Sequence, residues 1–138
     1  MVLVDSSVWI EGARRQGRLE IKVALEAVLE EYEAAICSPI RLEVLGSARR
    51  EDREKLDYYF ACIPYIQVKE SDWTAAIKQG WMLRDQGITL PWNDLLIATL
   101  ALRLECRLFA CDRHFELMKP PLLLRLYQPG YGGSFQSE

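Results

Sequence analysis

Short apolar runs without polar alternation recur along the chain, separated by longer segments in which apolar residues return every three or four positions. The runs at residues 2–4, 34–37 and 108–111 are typical of strands that are covered on both faces. The longer segments are typical of amphipathic helices. The alternation predicts an α/β fold, a three-layer α/β/α sandwich with a central, mainly parallel sheet. Shorter strands are expected at 65–68 and, at an edge of the sheet, at 122–127.

Residues typical of helix ends divide the periodic segments into six helices. Ser6 or Ser7 is expected to cap the first helix, Ser38 with Pro39 to begin the third, and Gly87 to end the fifth. The predicted helices cover residues 8–12, 19–33, 39–47, 51–62, 71–86 and 93–102. The last of these is apolar on every side from residue 95 onward, which indicates a central, buried helix.

Two tryptophans share an apolar stripe of the fifth predicted helix. Trp73, Ile77 and Trp81 recur at helical spacing, together with Ala76 and Gly80. Such a stripe is expected to lie in the core or in a dimer interface, and a base-stacking role is the less favoured interpretation.

Length and composition favour one domain. A chain of 138 residues with 50% hydrophobic content can bury a core of its own, so residues 1–128 are expected to form one domain and residues 129–138, rich in Gly and Ser, a flexible tail. The start of the chain turns acidic too early for an export signal, and the longest apolar run is too short to span a bilayer, which predicts a cytoplasmic protein.

Charge and cysteine usage narrow the function classes. A net charge of −3 argues against a general nucleic-acid coat protein, so a polyanionic substrate would need local arginines or bound cations.

The four cysteines contain no C-x-x-C pair and lie in or beside apolar segments. We expect buried thiols in a reducing cytosol, with a zinc site or a disulfide framework as the alternatives.

Four acidic residues occupy positions that suit a common site. Asp5 and Asp112 each follow a predicted strand, Asp94 lies in the first turn of the buried helix, and Glu43 stands among apolar neighbours on the third helix. Helix capping also explains Asp94, and an ion pair or an exposed edge position also explains Glu43. Ligands of open parallel sheets bind at the carboxyl ends of the strands, and carboxylates that converge there require a cation. Mg²⁺ or Mn²⁺ with oxygen ligands would suit phosphodiester chemistry.

The residues around these acids form four short motifs. They are Val-Leu-Val-Asp-Ser-Ser-Val-Trp-Ile at 2–10, Ser-Pro-Ile-Arg-Leu-Glu at 38–43, Asn-Asp-Leu-Leu-Ile-Ala at 93–98 and Cys-Asp-Arg-His-Phe at 111–115. In this order and spacing they resemble the PIN domain and, within it, the VapC-type toxins of bacterial toxin–antitoxin pairs.

The resemblance implies a Mg²⁺- or Mn²⁺-dependent ribonuclease that leaves a 5′-phosphate. It implies that Asp5, Asp94 and Asp112 are metal ligands, that Glu43 orients or deprotonates the attacking water, and that Ser7, with Ser6, supports the site by hydrogen bonding. It also implies a homodimer and a cognate VapB-like antitoxin that blocks the cleft. Seven arginines are candidates for contacting RNA: Arg14, Arg15, Arg18, Arg49, Arg50, Arg53 and Arg113.

This chain departs from the family pattern near the last acid. Ala110 and Cys111 stand where the family often has Thr or Ser, and His114 stands where many members carry a further Asp. His114 could contact a substrate phosphate or a metal-bound water, or could simply be a surface or capping histidine.

Three other functions stay open. They are a PIN nuclease that processes RNA without being a toxin, a Mg²⁺-dependent phosphatase, and a non-catalytic RNA-binding module. A phosphatase of the haloacid-dehalogenase type usually has a second Asp where Ser7 stands.

Overall fold

The computed structural model describes residues 1–129, which form four strands and seven helices. In chain order these are β1 (Val2–Val4), α1 (Ser6–Ala13), α2 (Leu19–Glu30), β2 (Ala34–Cys37), α3 (Ser38–Ser47), α4 (Arg50–Ala61), β3 (Tyr65–Ile66), α5 (Glu70–Asp85), α6 (Trp92–Arg103), β4 (Arg107–Phe109) and α7 (His114–Leu122). Most of the predicted C-terminal tail, from residue 130 onward, lies outside the described residues.

The four strands form one parallel sheet in the order β3-β2-β1-β4. Val2 of β1 lies opposite Ala34 of β2 on one side and Arg107 of β4 on the other. The chain therefore moves outward from β1 through β2 to β3 and then crosses back to the other side of β1. Because such crossovers are right-handed, α1–α4 and α5–α7 are expected on opposite faces, and the helices of each set do pack against one another. The prediction of a parallel sheet between helices is confirmed.

The core lies on both faces of the sheet. Every residue of β1 and β2 is buried, as a strand covered on two sides requires, and α6 is buried continuously from Leu96 to Ala101. Trp9 of α1 packs edge-on against Phe60 of α4, with ring centroids 4.9 Å apart. None of the helices within residues 1–129 combines the length and the apolar composition that crossing a bilayer requires.

Three helix ends differ from the positions predicted from the sequence. Asp5, not Ser6 or Ser7, is the N-cap of α1, since its carboxylate accepts the backbone N–H of Ser7. Cys37, not Ser38, is the N-cap of α3. The second helix ends at Glu30, and Tyr32, which was expected on its apolar face, has a left-handed backbone (φ 57°) and is almost fully exposed.

The C-terminal part departs further. The fourth strand ends at Phe109, before Ala110 and Cys111, so Asp112 follows it after a short loop. Residues 122–127 form no regular strand: α7, which the sequence did not predict, runs to Leu122, and only an isolated parallel bridge joins Leu126 to Leu108. Pro120 and Pro121 obscured this helix, because prolines inside a segment argue against a helix, but here they occupy its last turn.

Side-chain exposure decides between the alternatives for the tryptophans and corrects the expectation for the cysteines. Trp73 and Trp81 are exposed, so the core alternative is wrong, and the dimer-interface alternative stays a prediction. Gly87 ends the fifth helical segment with the positive φ (81°) expected of a helix stop. All four cysteines are free thiols, and Cys62 is exposed, whereas Cys37 and Cys106 are buried as expected.

Candidate active site

The candidate site lies where β1 and β4 end side by side. The chain leaves β1 toward β2 on one side, and β4 returns on the other, so the crevice between the carboxyl ends of β1 and β4 is the switch point of the sheet. Asp5 follows β1 directly, and its backbone N–H donates to Phe109 O across the strands (2.8 Å). Asp112 follows β4, which confirms that these two acids come from neighbouring strands.

Asp5 is a buried carboxylate with one unsatisfied oxygen. Its Oδ2 accepts hydrogen bonds from the backbone N–H (3.1 Å) and the hydroxyl (2.6 Å) of Ser7, whereas Oδ1 is buried and finds no hydrogen-bond partner in the described residues. Burial raises the pKa of Asp5 to about 6, against the opposing effect of the Ser7 hydrogen bonds, and the negative charges of Asp94 and Glu43 raise it further. A cation near Oδ1 would relieve both the desolvation and the repulsion.

Ser7 connects the ends of the two strands. Besides donating to Asp5, its Oγ accepts a hydrogen bond from the backbone N–H of Cys111 (2.9 Å). Ser7 is therefore positioned to support the site, because it holds the Asp5 carboxylate and is itself held by the backbone N–H of Cys111 in the loop after β4. Ser6 is buried at the first position of α1.

Asp94, Asp112 and His114 form a compact cluster beside Asp5. Asp94 is buried in the first turn of α6, and its Oδ2 lies 2.7 Å from His114 Nδ1. The same nitrogen lies 3.2 Å from Asp112 Oδ1, which also accepts the backbone N–H of His114 (3.0 Å). Burial raises the pKa of Asp94, and the negative charges of Asp112 and Glu43 add to the rise, while the hydrogen bond with His114 opposes it.

Glu43 lies at the open side of the site. Its side chain is exposed on α3, so the expected burial among apolar neighbours is wrong, and its role in the site stays a prediction. The amide Nδ2 of Asn93 donates to Glu43 Oε2 at 3.5 Å. The negative charge of Glu43 also raises the pKa of both Asp5 and Asp94.

The donor set fits a divalent cation. Within residues 1–129, one ligand atom each of Asp94, Asp112 and His114 lies within 4.8 Å of the other two, an arrangement that can hold a metal ion. Asp5 is not a member of this group, but its orphaned Oδ1 and the mutual repulsion of the carboxylates argue for positive charge in the same crevice. Carboxylate oxygens are the ligands of hard divalent ions.

The candidate RNA-contacting arginines are not gathered in one place. Arg14, Arg15 and Arg49 line a groove between α1 and α4, whose floor includes Trp9 and Leu56. Arg18 pairs with Glu11, and its charge partly offsets the rise that burial causes in the pKa of the Cys111 thiol. Arg113 is exposed beside Asp112, and Arg50 begins α4.

Sequence reasoning missed two contributors to the site. Asn93 contacts Glu43, and its position directly before Asp94 was the only signal. The backbone N–H of Cys111 contacts Ser7, and no side-chain pattern could have indicated a backbone donor.

Comparison with known protein families gives a match over most of the chain. The PIN domain matches residues 2–119. The VapC ribonuclease Mb1587 of Mycobacterium bovis is 32% identical over 123 residues, which cover 86% of this chain and 91% of that protein. The ribonuclease VapC11 of Mycobacterium tuberculosis matches with the same identity and coverage.

Solved structures share the fold. FitAcB from Neisseria gonorrhoeae superposes with a TM-score of 0.73 and 16% identity, covering 94% of this chain and 98% of that one. VapBC2 from Rickettsia felis, solved with a DNA fragment from its promoter, gives a TM-score of 0.73 and 18% identity, covering 91% of this chain and 97% of that one.

Proposed function

The chain belongs to the PIN domain family, and from that premise we propose that it is a metal-dependent endoribonuclease and the toxin of a VapBC-type toxin–antitoxin pair. The observation that carries the proposal is the set of acids at the switch point of the sheet, with a buried carboxylate oxygen of Asp5 that has no hydrogen-bond partner among residues 1–129. The ribonuclease names of the relatives support the reaction class, and RNA is the proposed substrate.

Mg²⁺ or Mn²⁺ is the proposed cofactor, and Asp5, Asp94 and Asp112 are the residues that would hold it. A divalent ion in such a site activates water as a nucleophile and neutralises charge on the phosphodiester. Asp5 is fixed for this role by Ser7, and Asp94 by the first turn of α6. Their rigid attachment keeps the oxygen donors in place before substrate arrives.

Glu43 and the arginines act on water and on RNA. Glu43 is exposed at the mouth of the crevice and is held by Asn93, so its carboxylate is available to orient the attacking water and accept its proton. Arg113, next to Asp112 in the chain, and Arg18, whose charge acts on Cys111, are the first candidates for contacting phosphates of the strand to be cut. Arg14, Arg15 and Arg49 would steer RNA along the α1–α4 groove, and Arg50 is the weakest candidate.

The proposed partners are a VapB-like antitoxin and a second copy of the chain. The structural neighbours include VapBC complexes, which supports an antitoxin partner that covers the crevice. A row of exposed apolar residues on α5 supports a homodimer. We place the toxin in the cytoplasm, where its RNA substrates are.

The test is cleavage of a pool of structured RNAs by the purified chain. We expect cuts with Mg²⁺ or Mn²⁺, none with EDTA, and a loss of at least about a hundredfold in rate for Asp94→Asn, because a ligand of the cation is neutralised. The matched control is Asp85→Asn, which removes an exposed acid at the end of α5 and should cut like the wild type.

Three outcomes separate the proposal from its competitors. A folded wild type that binds metal but leaves every RNA intact would contradict the nuclease, and hydrolysis of small phosphate esters in its place would indicate a phosphatase. Cleavage that arrests cell growth, and growth that is restored by co-expressing a VapB-like antitoxin, identify a toxin. Cleavage without growth arrest identifies an RNA-processing enzyme.

A further inference from the structure

His114 is the only histidine of the chain and stands at the centre of the acidic cluster. It begins α7, and its side chain is about two-fifths exposed, so solvent ions can reach it. Its Nδ1 contacts two carboxylate oxygens, Asp94 Oδ2 at 2.7 Å and Asp112 Oδ1 at 3.2 Å. Two acids from different elements thus converge on one imidazole nitrogen.

These separations are those of neighbouring ligands of one ion. In octahedral coordination with bonds slightly longer than 2 Å, adjacent ligand atoms are about 3 Å apart. The two distances from Nδ1 lie on either side of that value. The backbone also fixes the ring, because the N–H of His114 donates to Asp112 Oδ1 and ties the start of α7 to this acid.

A second, independent observation indicates that a cation belongs in the crevice. Only 3% of the surface of Asp5 is exposed, and within the part of the chain that the structure describes its Oδ1 has no hydrogen-bond partner. Protein donors satisfy Oδ2 of the same carboxylate, so the missing partner is specific to Oδ1.

We propose that Nδ1 of His114 is a direct ligand of the cation in this site, so that the site prefers a first-row transition ion such as Mn²⁺ to Mg²⁺. Mg²⁺ takes oxygen ligands and gives up water reluctantly, whereas imidazole binds first-row transition ions readily. Sites that combine carboxylates with histidine hold iron and manganese in other folds. The inference rests on the proposed metal-dependent function and names the ion class that this particular site selects.

The test is pulsed electron paramagnetic resonance of Mn²⁺ bound to tag-free protein. We expect an echo modulation from a directly bound ¹⁴N, which changes to the ¹⁵N pattern when only histidine is labelled. Because the chain contains a single histidine, an imidazole nitrogen signal can come only from His114. His114→Ala should abolish it and weaken Mn²⁺ binding about tenfold while changing Mg²⁺ binding less than threefold, both measured by calorimetry.

Two further variants keep the result specific. His114→Asp supplies an oxygen donor at the same position, so it should bind Mg²⁺ more tightly than His114→Ala without restoring the nitrogen signal. Glu116→Gln, which removes an exposed acid from the same turn of α7, should leave the nitrogen signal and both affinities unchanged.

The possible failures are distinguishable. Mn²⁺ that binds to the wild type without nitrogen coupling would overturn the role of His114 as a ligand and leave the carboxylate site standing. A folded wild type that binds neither Mn²⁺ nor Mg²⁺ would overturn the metal site itself and, with it, the proposed metal-dependent function.

Discussion

Ser7 carries two structural connections on one hydroxyl group. It donates to the buried carboxylate of Asp5 and accepts from the backbone of Cys111, and so it holds the ends of β1 and β4 together beneath the site. A hydrogen bond to a buried charge contributes more than one between neutral groups.

Replacing Ser7 by Ala should therefore destabilise both the fold and the site. The Cys111 N–H loses its acceptor, and Asp5 loses its shorter hydrogen bond, so we expect the free energy of unfolding to fall by about 1–2 kcal/mol in urea titrations. Ser47→Ala is the matched control, because Ser47 is exposed and bonds only to carbonyls of its own helix. Equal stability of the two variants would show that the strand-end connection contributes little.

At the scale of single residues, the sequence indicated which side chains carry the chemistry, but it did not indicate which atoms those side chains contact. The order of strands and helices brought Asp5, Asp94 and Asp112 to one end of the sheet, because the carboxyl ends of parallel strands share an edge. It could not show that Asp5 itself caps α1, since a carboxylate and two following serines can all serve as caps. Nor could it show that His114 lies between two acids, because this depends on where α7 begins.

At the scale of elements, α5 and α6 are joined by an ion pair between a buried acid and a partly exposed arginine, which the sequence did not indicate. Asp72, in the first turn of α5, accepts hydrogen bonds from Arg103 Nε (2.6 Å) and Nη2 (3.0 Å) at the end of α6. Asp72 is almost fully buried, and its Oδ2 also accepts the backbone N–H of Lys69. Burial by itself would raise the pKa of Asp72, but these hydrogen bonds hold it below its ordinary value of 3.8.

Replacing Arg103 by Met should lower the free energy of unfolding by about 2–3 kcal/mol at pH 7, because Asp72 would stay buried as an unpaired charge. A carboxyl group whose pKa is lowered by folding stabilises the folded state at pH values above its ordinary pKa. This stabilisation is lost as the pH falls through the pKa of the folded state. The difference between wild type and variant should therefore shrink below about pH 4. Denaturant titrations at pH 7 and pH 3 measure this.

Two variants control that experiment. Lys78→Met removes an exposed cation from α5 and should change stability by less than about 0.5 kcal/mol. Adding Asp72→Asn to Arg103→Met should recover part of the loss, because the amide can still accept from Lys69 without a buried charge. A penalty for Arg103→Met that is as large at pH 3 as at pH 7 would contradict the ion-pair explanation.

Buried elements were the predictable ones. The first two strands and the buried helix α6 have apolar runs that fit no exposed structure, and each appears where the pattern places it. Elements at the edges depended on interactions that a pattern does not contain. The segment 122–127 is apolar enough for a strand, yet it pairs with β4 only at Leu126 because α7 extends to Leu122.

At the scale of the whole molecule, one surface stands out by its apolar character. Trp73, Ile77 and Trp81 follow one another at four-residue intervals along α5, with 42%, 54% and 63% of their surface exposed. Trp92, at the start of α6, stacks on Trp73 with ring centroids 6.1 Å apart and is itself exposed. Exposed aromatic rows of this kind mark interaction surfaces, and an uncharged row suits a second copy better than a polyanion.

We expect this row to form the proposed homodimer, with Trp81 near its centre. Trp81→Glu should weaken the dimer by at least about 2 kcal/mol, or about thirtyfold in Kd, because a buried aromatic anchor becomes a charge. Light scattering coupled to size-exclusion chromatography should show a dimer for the wild type and a monomer for the variant at the same concentration. A melting temperature of Trp81→Glu equal to that of the wild type would show that the variant still folds and that only dimer formation is lost.

Tyr58→Glu separates this surface from the rest of the molecule. Tyr58 is as exposed as Trp81 but lies on α4, on the opposite face of the sheet, so the variant should stay dimeric. A dimer that survives Trp81→Glu and dissociates with Tyr58→Glu would move the interface to the α4 face. A wild type that stays monomeric and binds a VapB-like protein through Trp81 would assign the row on α5 to the antitoxin instead, because exposed apolar rows mark interaction surfaces.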